Sequence, residues 1–106
     1  YYGYWGIIFA NPLDREVKVY SVAVVSPSVQ AFPNRVVGVQ PETGWSAVYS
    51  TAYSTVIYWE SAEGITVPPH SAYEFKFKAE GKTSCLETPI NIEAITSEGK
   101  FIRTTS

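Results

Sequence analysis

The stretch Ser71–Glu80, which reads SAYEFKFKAE, decides the fold class. Apolar or aromatic side chains occupy every second position from 73 to 79, and charged side chains stand between them. Successive side chains of a strand point to opposite faces, so this pattern predicts a strand with one buried and one solvated face. Lys76 and Lys78 on the solvated face are expected to keep it soluble and to blunt pairing at a sheet edge. No window of the chain has a comparable helical period, so the sequence predicts an all-β protein.

Other β-rich segments lie on both sides of this strand, with turn residues between them. Strands are predicted at 5–10, 16–25, 35–40, 90–96 and 101–105, with a brief one at 65–67. The segment 45–60 is longer than a usual strand of about 5 or 6 residues, so we expect two strands, or one that bends near 50–54. Turn residues at 61–64 are expected to end it. Seven or eight short strands at regular spacing predict an immunoglobulin-like antiparallel β-sandwich, with a small barrel as the alternative.

The second predicted strand, 16–25, is apolar in both registers. Simple alternation places Val17 and Val19 on the same face as Ala23 and Val25, and it places Val22 on the opposite face. We therefore expect the end of this strand to be buried on both sides. No internal repeat, linker or low-complexity tract is present, which predicts one domain over residues 1–106.

The amino-acid composition of the chain narrows the range of functions to consider. The chain has 106 residues, of which 45% are hydrophobic and only 17% are charged, and tyrosine, serine and threonine fill the surface instead. Such a surface suits a β-rich domain outside the cytoplasm. The net charge of −2 and the scattered basic residues argue against nucleic acid as a partner. Cys85 is the one cysteine, so no internal disulfide forms, which favours a bacterial or archaeal surface protein. We expect the Cys85 side chain to be a small apolar plug, and an intermolecular bridge or a reactive thiol is the alternative.

The first residues suggest a connection to a membrane. The chain contains no methionine, which is typical of a fragment or a processed product. No run of about 20 apolar residues is present. The aromatic stretch 1–10 is expected to be the first strand, and it also suits a position just after a membrane anchor that has been removed, because Tyr and Trp favour the membrane interface.

The sequence offers few residues that could form a catalytic or metal-binding cluster. The single histidine, His70, and the single aspartate, Asp14, both lie in predicted turns beside proline, which does not predict a hydrolase triad. One His and one Cys do not make a conventional zinc site. Glu60 and Glu63 are the only candidates for a calcium site or a glycosidase pair, and a plain polar turn is the simpler interpretation. The sequence therefore predicts no enzyme, no metal and no cofactor.

Aromatic residues are the remaining candidates for a binding surface. Tyr49, Tyr53 and Trp59 share one register of the long β segment, and Trp45 follows Gly44 in a predicted loop. Three roles are open for the side chains of this register: they fill the core, they contact a protein partner, or they support the face of a sugar ring. Trp45 is the best candidate for exposure, whereas Trp59 is expected in the core. We predict Trp45, Tyr49 and Tyr53 as partner-binding residues.

Two pieces of the chain resemble a known class of domain. They read IIFANPLDREVKV from Ile7 and ITVPPHSAYEFKF from Ile65. Both resemble immunoglobulin-like ectodomains of prokaryotic, especially archaeal, cell-surface proteins, in which an I-x-N-P turn opens the domain and an I-x-x-P-P-x-S turn precedes an alternating strand. Archaellum stator subunits and pilus accessory proteins are similar in plan. The usual small residue after the Pro-Pro pair is His70 here.

The resemblance implies attachment and assembly at the cell envelope and carries no catalytic residue over. The expected function is therefore a non-enzymatic ectodomain that binds an envelope protein or another copy of itself. The expected contact is a free strand edge or the aromatic strip. A carbohydrate-binding module that uses Trp45 and the same tyrosines is the alternative.

Overall fold

The computed structural model describes residues 2–26, 34–49, 55–80 and 90–105. These segments form eight strands: β1 Tyr2–Asn11, β2 Val17–Ser26, β3 Asn34–Gln40, β4 Trp45–Tyr49, β5 Thr55–Val67, β6 Ser71–Glu80, β7 Ile90–Thr96 and β8 Gly99–Thr105. The described segments contain no helix of a length and apolarity that would let it cross a membrane.

Two antiparallel sheets make up the molecule. The smaller sheet has three strands in the order β1-β6-β3, and the larger has five in the order β4-β5-β2-β7-β8. The buried apolar side chains lie between the two layers, as the sandwich predicted from sequence requires. The all-β, two-layer fold of eight strands is therefore confirmed.

The alternating strand β6 is the centre of the smaller sheet. Phe75 and Phe77 are 0% and 1% exposed, as the alternation predicts. Lys76 and Lys78 stand on the opposite face, with their ammonium groups 4.8 and 5.5 Å from the centre of the Tyr4 ring. The expectation that these lysines blunt edge pairing is wrong, because β1 and β3 pair with β6 on either side. They instead make cation–π contacts on an outer sheet face.

A bulge at Tyr20 changes which side chains of β2 face the core. Val19 pairs with Thr96 of β7, and Ser21 pairs with Ile95, so Tyr20 is an extra residue on β2. The buried residues accordingly change parity, from Val17 and Val19 to Val22 and Val24. The expectation of a strand end buried on both sides is wrong: one face lies in the core throughout, and Ala23 and Val25 on the other face are half-buried.

The fifth strand is longer than the sequence predicts. The break at 50–54 is consistent with the structure, since β4 ends at Tyr49 and β5 begins at Thr55. Residues 61–64 do not end β5, however. Ser21 pairs with Glu60 and Val19 pairs with Ile65, so four residues of β5 bulge outward opposite Tyr20 before pairing resumes. Gly64 adopts a φ of 77° in this excursion, a conformation that suits glycine.

Candidate binding cleft

Trp45 is the first residue of β4, and its indole is half-buried rather than exposed. The ring packs on Phe77 with a centroid separation of 5.0 Å, and Nε1 donates a hydrogen bond to the carbonyl oxygen of Pro41 at 2.9 Å. The expectation of an exposed loop tryptophan is therefore wrong. The turn chemistry around Gly44 concealed that β4 already begins at Trp45 and directs the ring towards the smaller sheet.

The rest of the predicted aromatic strip is only partly described. Ile57 and Trp59, which share its register on β5, are 0% and 2% exposed, so this part of the strip belongs to the core. The backbone of Tyr49 pairs with Thr55. The side chain of Tyr49 and all of Tyr53 lie outside the described residues, as does Cys85. Their assignment to a partner surface stays a prediction.

Two tryptophans donate hydrogen bonds to the loop that joins β3 to β4. Trp59 Nε1 donates to the carbonyl oxygen of Thr43 at 3.1 Å, which parallels the Trp45–Pro41 bond. Glu60 N donates to the carbonyl oxygen of Gly44 at 3.2 Å. A Cβ on Gly44 would lie 2.8 Å from Trp59 Nε1, and its φ is 97°, so the loop needs glycine there. The tryptophans thus have a structural role that sequence patterns did not reveal.

The two turns that carry the resemblance are in direct contact. His70 N donates to the carbonyl oxygen of Leu13 at 3.2 Å, and His70 Nε2 lies 2.5 Å from Asp14 Oδ1. The side chains of His70 and Asp14 are 63% and 96% exposed, so this pair stands in solvent and not in a cleft. The neighbouring Ser71 hydroxyl donates to the carbonyl oxygen of Pro69. The geometry is that of a solvated contact between two turns, which contributes little to stability.

The described residues bring no metal-binding set together. No group of three or more His, Cys, Asp or Glu side chains within them is close enough to hold an ion. Glu60 and Glu63, the carboxylates weighed for calcium or for glycoside chemistry, are both exposed on β5.

A cleft lies between the edge strand β1 of the smaller sheet and the edge strand β8 of the larger one. Its volume is about 750 Å³, within the range of about 300–1,000 Å³ that is typical of ligand pockets. Val17 and Val22 of β2 and Ala94 of β7 form the apolar floor, and residues 6–13 form one wall. Sequence reasoning did not find this cleft, because no local pattern shows which strands become edges.

The opposite wall of the cleft comes from β8. Phe101 is 50% exposed, and its ring meets Phe9 of β1 edge to face, with centroids 6.3 Å apart. Phe101 pairs with Ala94 and Arg103 pairs with Ile92, so both lie on the inner face of the sheet. The cleft is therefore open, apolar and bounded on one side by an inward-facing cation.

Charged groups around the cleft are unevenly neutralised. Arg15 pairs with Glu98 at one end, where Nε donates to Oε1 at 2.5 Å. Lys100 lies 3.6 Å from Glu93 on the outer face of the same sheet. Arg103 is exposed and, among the described residues, makes no ion pair. Within the part of the chain that the structure describes, the cleft therefore carries a positive charge at Arg103 that no ion pair neutralises.

Comparisons with known proteins support the fold. No family model and no curated protein matches this chain. The chain is similar to an uncharacterized protein from Nocardia farcinica, whose crystal structure reveals an immunoglobulin-like fold, with a TM-score of 0.52 and 17% identity. The match covers 96% of this chain and 73% of that protein. At this identity the likeness shows the fold alone, and it confirms the immunoglobulin-like β-sandwich predicted from sequence.

Proposed function

We propose that this chain is a non-enzymatic, extracellular β-sandwich domain that acts in protein assembly or anchoring at the cell envelope, with its partner bound in the cleft between β1 and β8. The observation that carries the proposal is the half-exposed Phe101 beside an apolar floor. Large apolar side chains held open beside a buried floor are typical of protein and ligand binding sites. Archaellum and pilus accessory subunits remain the class that the sequence resembles.

The surface composition supports a location outside the cytoplasm, because only 17% of residues are charged. The described structure offers no observation that favours the carbohydrate-binding alternative. Sugar platforms need an exposed aromatic face, and the indole of Trp45 packs on Phe77. Among the described aromatic residues, Phe101 is half-exposed but stands inside a cleft, and the exposed ring of Tyr4 lies under the ammonium groups of Lys76 and Lys78.

Two variants with matched exposure test the proposal. Phe101 and Ile95 are both 50% exposed on the larger sheet, but Phe101 faces the cleft and Ile95 lies on the outer face. Phe101→Ser should lose co-purification with an envelope protein and any self-association seen by sedimentation, whereas Ile95→Ser should keep both. Circular dichroism confirms that each variant folds.

Three results would overturn the proposal. Co-purification that survives Phe101→Ser excludes the cleft as the contact. Fractionation that finds the protein only in the cytoplasm contradicts the envelope location. Turnover of ester, peptide or glycoside substrates contradicts the non-enzymatic assignment.

A further inference from the structure

The two sheets differ in width, and the cleft lies where the smaller one stops. Neighbouring strands lie about 4.8 Å apart, so a five-stranded sheet is about 10 Å wider than a three-stranded one. The strands of the smaller sheet stack towards the β4 side: Phe77 of β6 packs on Trp45 of β4, and Phe75 packs on Trp59 of β5. Among the described strands, none consequently lies directly above the inner face of β8, which β1 reaches through the contact of Phe9 with Phe101. The uncovered width suits about one or two further strands beside β1.

The walls of the cleft are strand edges. A strand face contributes every second residue to a surface, whereas an edge contributes consecutive residues. Consecutive residues 6–11 of β1 and 101–103 of β8 line the cleft. Among the described strands, β1 pairs only with β6 and β8 pairs only with β7. Each of these two strands therefore has one edge whose alternate N–H and C=O groups have no partner among the described strands.

The positive charge of Arg103 indicates that an occupant of the cleft should carry an acidic group. Arg103 is on the inner face of β8 beside Ile92, and no acidic side chain of the described residues pairs with it. An inward-facing charge on an edge strand discourages indiscriminate pairing, because a wholly apolar strand would desolvate it. A strand with an acidic side chain at that position would neutralise it.

We propose that the cleft accepts an extended strand of a partner protein, which adds to the free edge of β1, buries alternate apolar side chains against Phe101 and Ile92, and places an acidic side chain against Arg103. This inference rests on the proposed function and names the form of its partner. The backbone supplies affinity and the side-chain pattern supplies specificity, as in other cases of β-strand addition. An amphipathic carboxylate would satisfy Arg103 and the apolar floor, but it would leave the backbone edge of β1 unused.

Synthetic peptides as long as β8 test the proposal directly. The probe alternates valine with threonine and carries one aspartate on the valine face. A first control replaces aspartate with lysine, and a second keeps every side chain but N-methylates the backbone groups that would pair. When the probe peptide is titrated into the protein, the NMR amide resonances of residues 6–11 and 92–103 should shift. Affinity should fall by about fivefold to tenfold for the lysine peptide and below detection for the N-methylated one.

Charge reversal in the protein provides the decisive comparison. Arg103→Glu should bind the lysine peptide more tightly than the aspartate peptide, an exchange of preference that misfolding does not produce. Phe101→Ser should weaken both peptides, and Ile95→Ser should weaken neither. Binding of dodecanoate at Arg103 without binding of any peptide would overturn the proposal in favour of a small amphiphile.

Other outcomes separate this inference from the proposed function. If Phe101→Ser abolishes envelope co-purification but no peptide binds, the cleft is a protein contact of another geometry and strand addition is wrong. If an N-methylated peptide binds as well as its parent, the backbone edges are not used and the inference is equally wrong. A dimer that depends on Arg103 would show that a second copy, and not another protein, provides the strand.

Discussion

Asn11 Nδ2 donates a hydrogen bond to the carbonyl oxygen of Val67 at 3.1 Å, across 56 positions of sequence. The same amide donates to the carbonyl oxygens of Arg15 at 2.8 Å and Pro68 at 3.1 Å, and its Oδ1 accepts from Leu13 N at 3.0 Å. Asn11 is only 2% exposed. One buried side chain therefore joins the β1–β2 turn to the β5–β6 turn, which are the two pieces of sequence that carry the resemblance.

Replacement of Asn11 should destabilise the fold. Asn11→Ala removes three donated bonds and one accepted bond and leaves buried carbonyls without partners, so the free energy of unfolding should fall by about 2–4 kcal/mol. Asn11→Asp keeps an acceptor for Leu13 N but turns a carboxylate towards the same carbonyls, and at neutral pH it should cost at least as much. Denaturant unfolding measures both. A smaller loss for Asn11→Asp would show that the accepted bond, and not the donated ones, dominates.

Substitution by alanine should change stability by different amounts at Gly38 and Gly6, two glycines of the smaller sheet. A Cβ at Gly38 would lie 2.6 Å from the carbonyl oxygen of Glu42 and nearer still to Trp45 Cδ1, so Gly38→Ala should cost about 1–3 kcal/mol. A Cβ at Gly6 would meet only the side chain of Glu74, with Oε2 at 2.8 Å, and that exposed carboxylate can move. Gly6→Ala should therefore change stability by less than about 0.5 kcal/mol. Equal thermal shifts in the two variants would contradict the packing of β3 on Trp45.

Trp45 should contribute to the stability of the fold rather than to partner binding. Trp45→Ala removes the contact with Phe77 and the bond to Pro41, and it should cost about 2–4 kcal/mol. Trp45→Phe keeps a smaller ring against Phe77 but loses the hydrogen bond and part of the packed indole, so it should cost about 1–2 kcal/mol. Chemical denaturation gives both values. Loss of a partner by Trp45→Ala at unchanged stability would restore Trp45 as a contact residue.

His70 holds a backbone conformation that is unusual for a residue with a side chain, with a φ of 53°. His70→Gly relieves that strain and loses the exposed contact with Asp14, which contributes little, so stability should change by less than about 1 kcal/mol. His70→Val keeps the strain and adds a β-branched side chain, which should cost about 1–2 kcal/mol. Thermal unfolding distinguishes the two. If His70→Gly were the more damaging variant, the contact with Asp14 would be a strong one.

Tyr73 should make the fold sensitive to alkali. Burial raises the pKa of Tyr73 above its ordinary value of 10.0, so the folded protein holds the phenol proton more tightly than the unfolded chain. The stability from this difference is complete below pH 10.0 and declines as pH rises above it. Tyr73→Phe should flatten the alkaline part of a plot of unfolding free energy against pH. An alkaline slope that is unchanged in Tyr73→Phe would contradict the burial of this phenol.

Alternation in the sequence was sufficient to predict the two-layer fold. In β6 the inward positions from 73 to 79 are aromatic or apolar and the outward positions from 74 to 80 are charged, so the faces of Phe75 and Lys76 followed from the spacing alone. The break between β4 and β5 followed from strand length. Neither conclusion needs information about distant parts of the chain, since both depend on side chains within one strand.

Features that depend on pairing between distant strands could not be predicted. The parity change at Tyr20 leaves no local signal, because valines occupy both registers of β2. The cleft depends on β1 and β8 being edges, which is a property of sheet order. Trp45 was misassigned because turn residues precede it, whereas its burial is decided by Phe77 on another strand.

The single unpaired position at Tyr20 gives chain length a meaning that residue type does not have. Were Tyr20 to take an ordinary paired place in the strand, everything from Ser21 to Ser26 would rotate by half a turn about the strand axis, so that Ser21, Ala23 and Val25 would replace Val22 and Val24 inside. Deletion of Tyr20 would instead restore simple alternation after Val19 and would keep Val22 and Val24 inside. Relatives of this domain that lack the extra residue should therefore have a regular second strand with the same positions buried.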